Sequence, residues 1–447
     1  MPKPRPPLPG GPYLVVGLAR SGIAAALALR ARGETVVGAD SGRASAPDLI
    51  AAEQRLSAAG VEVHLDASSD ALAASAGTLI KSPGVPSHAP LVAAARARGL
   101  PILGELELGW RLLDNEFIAV TGTNGKTTTT EWIGHILREA AEPVAVAGNV
   151  GTAITSLIGE LPADTTVVCE ASSFQLEDTI AFAPEVAVLL NLQSDHLDRH
   201  GTYAAYVAAK LKIFANQGND DVAIAPSRLE VEDLGGCARR VCFGEDPGAE
   251  LSARAGQLWW DEQPVLATSE ISLPGEHNRE NAMAAAAACL ARGVPLEAVA
   301  SGLRSFRGVA HRLELIAERA GVAFVNDSKA TNVASTLVAL RSYAGGVHLI
   351  AGGTGKGQDF GPLAPAVTER CAGVYLIGAA SGDLSQALAG SGVPVRELGD
   401  LESALGAATA RAAAGETVLF SPACASFDQY KDFEARGEHF RALVTAL

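Results

Sequence analysis

The stretch FIAVTGTNGKTTTTEWIGHIL, residues 117–137, decides how this chain is read. Phe117–Val120 is an apolar run of strand length, and Trp132, Ile133, Ile136 and Leu137 recur at helical spacing. Between them, Gly122, Thr123, Asn124, Gly125, Lys126, Thr127 and Thr128 form a glycine loop, so the order is strand, loop, helix. Glycines let backbone N–H groups turn inward on an anion, Lys126 adds a cation, and Thr127 offers a hydroxyl to Mg²⁺. The pattern departs from G-x-x-x-x-G-K-[ST], because Val120 stands where the first glycine would be. Spacing alone leaves an ordinary glycine turn open; the flanking strand and helix favour a nucleotide site.

Working outward, the strand Thr165–Cys169 ends in Glu170, and Val186–Leu190 leads into SDHLDRH, residues 194–200. A carboxylate at a strand's carboxyl end beside a phosphate loop is placed to hold Mg²⁺, although a surface glutamate is the plain alternative. His196 reads as a metal or phosphate ligand rather than a satisfied polar residue, because it sits in a D-H-x-D cluster at a third strand end. Upstream, Tyr13–Val16, the turn GLARSG (17–22), an alanine-rich helix and a strand Thr35–Val37 ending near Asp40 resemble half of a Rossmann-like unit. Arg20, Ser21, Asp40 and Ser41 fall at its strand ends. Downstream, Val322–Val325 precedes Asn326-Asp327-Ser328-Lys329, and Val347–Ala351 runs into Gly352-Gly353-Thr354-Gly355-Lys356. The expectation is an α/β chain of three domains, 1–105, 106–308 and 309–447: Rossmann-like, P-loop-type ATPase with a parallel sheet, and Rossmann-like again. Residues 217–275 carry short strands and turn signals, peripheral to the chemistry.

The chain has 447 residues, 48% hydrophobic and 19% charged, which is globular composition. A net charge of −15 argues against nucleic acid or an anionic membrane surface, since both need a basic face. Nothing approaches the ~20 uncharged apolar residues of a membrane span, and the proline-rich opening reads as no signal peptide. Six cysteines, at 169, 237, 242, 289, 371 and 424, show no C-x-x-C spacing and fit a reducing compartment. A cytoplasmic monomer is expected.

GTNGKTT, AGNVG, EASSFQLE, SDHLDRH, YVAAKLKIF, GEHNRENAMAA, HRLE, NDSKATN, GGTGKGQDF and SPACASFDQYKDFEARG together resemble the ordered blocks of the Mur ligase family, over nearly the whole chain. ASSFQLE and SPACASFDQ are similar to its D-glutamate-adding branch. The resemblance implies ATP-dependent joining of D-glutamate to UDP-N-acetylmuramoyl-L-alanine through an acyl phosphate, in peptidoglycan precursor synthesis. It implies an N-terminal domain for the UDP group, a central ATPase and a C-terminal amino-acid domain. By matching motif, Lys126 and Thr127 hold phosphates and Mg²⁺, with two Mg²⁺ ions expected, and Glu170 and His196 are metal ligands. Asn149 and Ser172 touch the acceptor, with Ser82-Pro83-Gly84 as a family-like turn. Asn278 and Asn281 border the adenine, while Arg312 and Asp327 reach the ATP phosphates and ribose. Lys329, Thr331, Lys356, Ser426 and Phe433 surround D-glutamate. The block GGTGK carries Thr354 where some members have an acid.

Lys210 corresponds to the lysine that the family carries as a carbamate. Residues 203–214 read as an amphipathic helix on which Tyr206 and Ile213 share the face of Lys210, pointing it inward and Lys212 outward. A buried lysine loses affinity for its proton, and only the neutral amine reacts with carbon dioxide. A hydroxyl at Ser426 could instead cap a helix opening at Ala425-Ser426-Phe427-Asp428, and Cys424 reads as packing. Three other readings compete. A nicotinamide-dependent oxidoreductase fits the first turn but leaves GTNGKTT without a role. A non-catalytic nucleotide-binding module does not need Lys210, and a sister ligase would take another amino acid.

Overall fold

The computed structural model describes residues 3–67, 70–149, 151–231, 233–355 and 357–447; the Asp198 side chain also lies outside the description. The chain separates into two compact units, Met1–Phe306 and Arg307–Leu447. The first holds two sheets and the second holds one.

In the first unit, five parallel strands run in the order Glu62–His64, Val36–Ala39, Tyr13–Val16, Thr78–Lys81, Ile102–Gly104. The chain moves out to one side of Tyr13–Val16 and then crosses to the other. Such a reversal opens a crevice at the strands' carboxyl ends, here between Gly17 and Ser82. The expected strand at 35–37 is observed as Val36–Ala39.

The second sheet has nine strands, with Phe117–Thr121 between Thr166–Glu170 and Val186–Leu189, all parallel. All five residues of Phe117–Thr121 are buried, as a strand covered on both faces requires. Because the three strands run the same way, the phosphate loop, Glu170 and Asn191 leave the sheet at one end. The strands between Val222 and Ala267 extend this sheet sideways beyond Val186–Leu189 and finish in antiparallel pairing. Behind the loop, the helix Lys126–Glu139 buries Trp132, Ile133, Ile136 and Leu137 completely. Each such side chain contributes about 1.5–3 kcal/mol. Trp132 stacks on Phe306 at 4.7 Å and donates its indole N–H to Gly302 O at 3.1 Å. The helix Glu276–Ala291 is buried continuously from Asn281 to Leu290. Its alanine-rich sequence is the composition of a helix enclosed on all sides.

The second unit is a six-stranded sheet. Val322–Asn326, Thr417–Phe420, Val347–Gly352, Cys371–Ile377 and Val395–Gly399 are parallel, and Glu314–Arg319 is an antiparallel edge. Among the described residues no helix is long and apolar enough to cross a membrane.

Candidate active site

Gly122 and Gly125 both have positive φ, +154° and +85°, which only glycine adopts without strain. A Cβ at Gly125 would also collide with the Asn281 side chain, which packs directly on the loop. Asn124 N donates to Asn191 Oδ1 at 2.9 Å and Asn124 Nδ2 to Gln193 Oε1 at 2.9 Å, tying the loop to the neighbouring strand end. Thr123 Oγ1 pairs with Tyr206 OH at 2.9 Å, and Thr129 Oγ1 donates to Asn281 Oδ1 at 3.4 Å. Thr127 is buried at the first turn of the helix.

Two ammonium groups converge on one carbonyl. Lys126 Nζ donates to Gly122 O at 2.9 Å and Lys210 Nζ to the same oxygen at 2.7 Å. Lys210 is buried 4.6 Å from the Tyr206 ring centroid, on the inward face of the helix Tyr203–Leu211. Burial first, and then the charge of Lys126, lower its amine to about 7, against the opposing pull of Asp195 and Glu170. Tyr206 and Ile213 are buried as expected, although Ile213 lies just beyond the helix end. Lys212 is a correction: it is not free on a solvated face but half-buried, donating to Glu177 O at 2.6 Å.

Glu170 is buried at its strand end and accepts a hydrogen bond from Asn149 Nδ2 at 3.0 Å. Asn149 in turn lines a cavity of about 490 Å³ with Arg20, Ser21, Asp40, Ser41 and the Ser82–Pro86 loop. Asp40 shapes the wall by accepting Leu18 N at 2.7 Å and Gly42 N at 2.8 Å. His196 has φ +50°, an unusual backbone state for a side-chain-bearing residue, and its ring centroid lies 4.8 Å from that of Phe174. Ser172 does not line the cavity. Its hydroxyl closes a capping box with Gln175 on the helix Ser173–Leu176. Asn278 Nδ2 donates to Pro274 O at 2.8 Å at the start of its helix.

In the second unit, Asp327 is buried and accepts Ser421 Oγ at 2.7 Å and Leu313 N at 3.1 Å. Burial raises its carboxyl to about 6, opposed by those hydrogen bonds and by Arg312 and Lys329. The loops after three strands are joined. Thr354 and Ala425 exchange backbone hydrogen bonds at 2.8 and 3.1 Å, and Arg436 Nη2 donates to Ser328 O and Cys424 O at 2.9 and 3.0 Å. Lys329 and Thr331 follow Ser328 on one loop, buried Ser426 follows Cys424 on the next, and Phe433 O accepts Ser328 Oγ at 2.8 Å. Arg312 is exposed, and Lys356 lies outside the described residues. Ser426 opens no helix: the next one is Phe433–Ala446, capped by Asp432. Cys424 is buried, and burial pushes its thiol up to about 12, as packing requires.

Residues 12–104 match the Mur ligase MurD-like N-terminal domain, 120–289 the Mur ligase middle domain and 311–424 the Mur ligase glutamate ligase domain. The UDP-N-acetylmuramoylalanine--D-glutamate ligase of Acidobacterium capsulatum is 41% identical over 98% of this chain and 97% of that one. The protein of the same name from Pelotomaculum thermopropionicum is 40% identical, over 97% of each. The chain belongs to the Mur ligase family. Among solved structures, a UDP-N-acetylmuramate-alanine ligase from Thermotoga maritima aligns with TM-score 0.57 at 20% identity, covering 98% of this chain and 99% of that one. A MurF ligase from the same organism, solved with ADP, aligns at 0.54 and 16% identity, covering 92% and 96%. These two share the fold.

As a Mur ligase, the chain has a donor set that suits Mg²⁺. Thr127 and Glu170 offer hard oxygens beside the phosphate loop, and Mg²⁺ takes most of its remaining ligands from phosphate and water. Among the described residues no three His, Cys, Asp or Glu side chains gather into a ready cage. Two residues of this Mur ligase were not singled out from sequence. Arg436, a buried cation held largely by carbonyls, was hidden because its partner Ser328 is 108 positions away. Arg199 sits inside the quoted block SDHLDRH, yet its partner Val85 is 114 positions upstream.

Proposed function

We propose that this chain joins D-glutamate to UDP-N-acetylmuramoyl-L-alanine at the expense of ATP, giving ADP and phosphate. One observation carries the reading: Asn149 lines the N-terminal cavity and donates to Glu170 beside the phosphate loop, so an acceptor in that cavity ends where a γ-phosphate would lie. The names of the relatives at about 40% identity support the same substrates.

A carboxylate is a poor electrophile, and bringing it against ATP sets anion against anion. Lys126 would neutralise the phosphates, and the N–H groups of Gly122–Thr128 would cradle them. Thr127, Glu170, His196 and a carbamate on Lys210 would hold Mg²⁺, two ions in this reading, which supply charge neutralisation for the transfer. The L-alanyl carboxylate oxygen attacks the γ-phosphorus, the bond to ADP breaks, and an acyl phosphate forms. The amine of D-glutamate then attacks the acyl carbon, and the tetrahedral intermediate collapses with loss of phosphate.

Lys210 as found here is an amine whose proton is weakly held, which favours carbamylation. An ammonium could not ligate a cation, whereas a carbamate presents carboxylate-like oxygens. Asn278 and Asn281 are assigned to the adenine, Arg312 and Asp327 to the nucleotide, and Ser21, Asp40 and Asn149 to the acceptor, while Ser172 serves the helix it caps. Lys329, Thr331, Lys356, Ser426 and Phe433 are assigned to D-glutamate. The division 1–105, 106–308 and 309–447 is the proposed allotment of UDP-substrate, ATP and amino-acid binding. Cytoplasmic location is supported by the six free cysteines, and a monomer by the presence of every quoted motif block on one chain. A panel of amino acids with ATP, Mg²⁺ and the UDP-linked acceptor tests the assignment by product mass. A product with D-glutamate alone is expected; equal product with L-glutamate or another amino acid contradicts it.

A further inference from the structure

The lip of the cavity is held by a carbonyl that receives two cations. Val85 O accepts Lys81 Nζ at 2.8 Å and Arg199 Nη2 at 3.0 Å. Lys81 is fully buried and paired with Asp178 at 2.7 Å, so its end of the arrangement is fixed. Arg199 comes from the other side, on the short helix Leu197–His200 that directly follows His196. Its guanidinium lies 4.1 Å from the ring centroid of Phe174, the same ring that His196 packs against at 4.8 Å. One side chain therefore touches both the cavity lip and the shelf under His196.

The arrangement is incompletely satisfied. Arg199 Nε and Glu177 Oε2 are both buried without a hydrogen-bond partner, and Arg199 Nη2 stands 3.8 Å from Glu177 Oε2, too far for a hydrogen bond. The other oxygen of Glu177 accepts a short hydrogen bond from Ser87, just past the lip. Movement of the lip thus displaces Val85 and Ser87 together. A small shift of the guanidinium toward Glu177 would satisfy the buried Glu177 Oε2, giving Arg199 a second favourable position.

We propose that Arg199 is a positioning residue that couples occupancy of the N-terminal cavity to the orientation of His196, so that acceptor and magnesium nucleotide bind with positive cooperativity. The inference rests on reading the cavity as the acceptor site. The coupling is reciprocal, so it is measurable without turnover.

The test is calorimetric titration of Mg²⁺·ADP into the full-length enzyme, with and without saturating UDP-N-acetylmuramoyl-L-alanine and with no D-glutamate present. In the wild type, acceptor should tighten Mg²⁺·ADP at least about fivefold. In Arg199→Met the factor should fall below about twofold while each ligand alone still binds within about threefold of wild type. Arg199→Lys keeps the charge without the flat fork and should lose the coupling too. Phe174→Leu breaks the relay from the other end, and decides the matter if Arg199→Met does not fold. Coupling retained in Arg199→Met and Phe174→Leu, or absent from the wild type, overturns the inference and leaves the proposed reaction standing. A wild type that binds no acceptor overturns the reading of the cavity, and the inference with it.

Discussion

Lys126 and Lys210 share Gly122 O, yet their removal should read differently. Lys126→Ala deletes a cation from a site where charge grows during transfer, and should cost at least about 3 kcal/mol, or roughly 100-fold in kcat/KM. A loss below tenfold would mean that ATP reacts elsewhere. Lys210→Ala should be nearly inactive and partly restored by formate or acetate, whose oxygens can stand in for a carbamate; full activity without rescue contradicts that role. Asp327 gives a pH signature. Its carboxyl is raised from 3.8 to about 6 by burial, so the folded state binds the proton more tightly than the unfolded chain. The penalty is full above the folded value and gone below the unfolded one. Wild-type stability relative to Asp327→Asn should therefore rise as pH falls from about 7 to about 4, by no more than about 3 kcal/mol. The asparagine loses an acceptor at every pH, a constant offset, so the trend isolates the charge. Urea midpoints across that range check it, and a falling difference contradicts it.

At the scale of the element, the phosphate loop owes its place to the helix behind it. Trp132→Ala empties a fully buried site and removes the hydrogen bond to Gly302, so a loss of about 3–5 kcal/mol in unfolding free energy is expected by denaturant titration. A cost under about 1 kcal/mol would mean that the helix is not anchored there. This element was legible from sequence because its signals are local: a buried strand, two glycines with φ no other residue adopts freely, and four apolar positions at helical spacing. The loops of the second unit were less legible. Ala425-Ser426-Phe427-Asp428 has the composition of a helix start, yet Ala425 pairs with Thr354 and the chain then makes a single turn, closed by Gln429 N and Tyr430 N on Ser426 O, that does not continue as a helix. Lys212 was expected outward because periodicity reports its helix face but not the carbonyls of Glu177 and Thr179 that reach it. Arg199 and Arg436 were invisible for the same reason: their meaning lies in backbone oxygens brought near only by the fold.

The whole molecule consists of two units, each with its own buried core. Calorimetry should therefore resolve two unfolding transitions, and acceptor alone should raise only the one belonging to Met1–Phe306, which contains the cavity. A single transition, or a shift confined to the other unit, contradicts that division. The central claim is that ATP is spent only when both partners of an amide bond are present, since an acyl phosphate without its amine stays bound rather than turning over. Continuous measurement of phosphate release tests it most directly. Sustained release should require ATP, Mg²⁺, UDP-N-acetylmuramoyl-L-alanine and D-glutamate together; equal steady release with the acceptor or D-glutamate omitted, or with L-glutamate in its place, would contradict it.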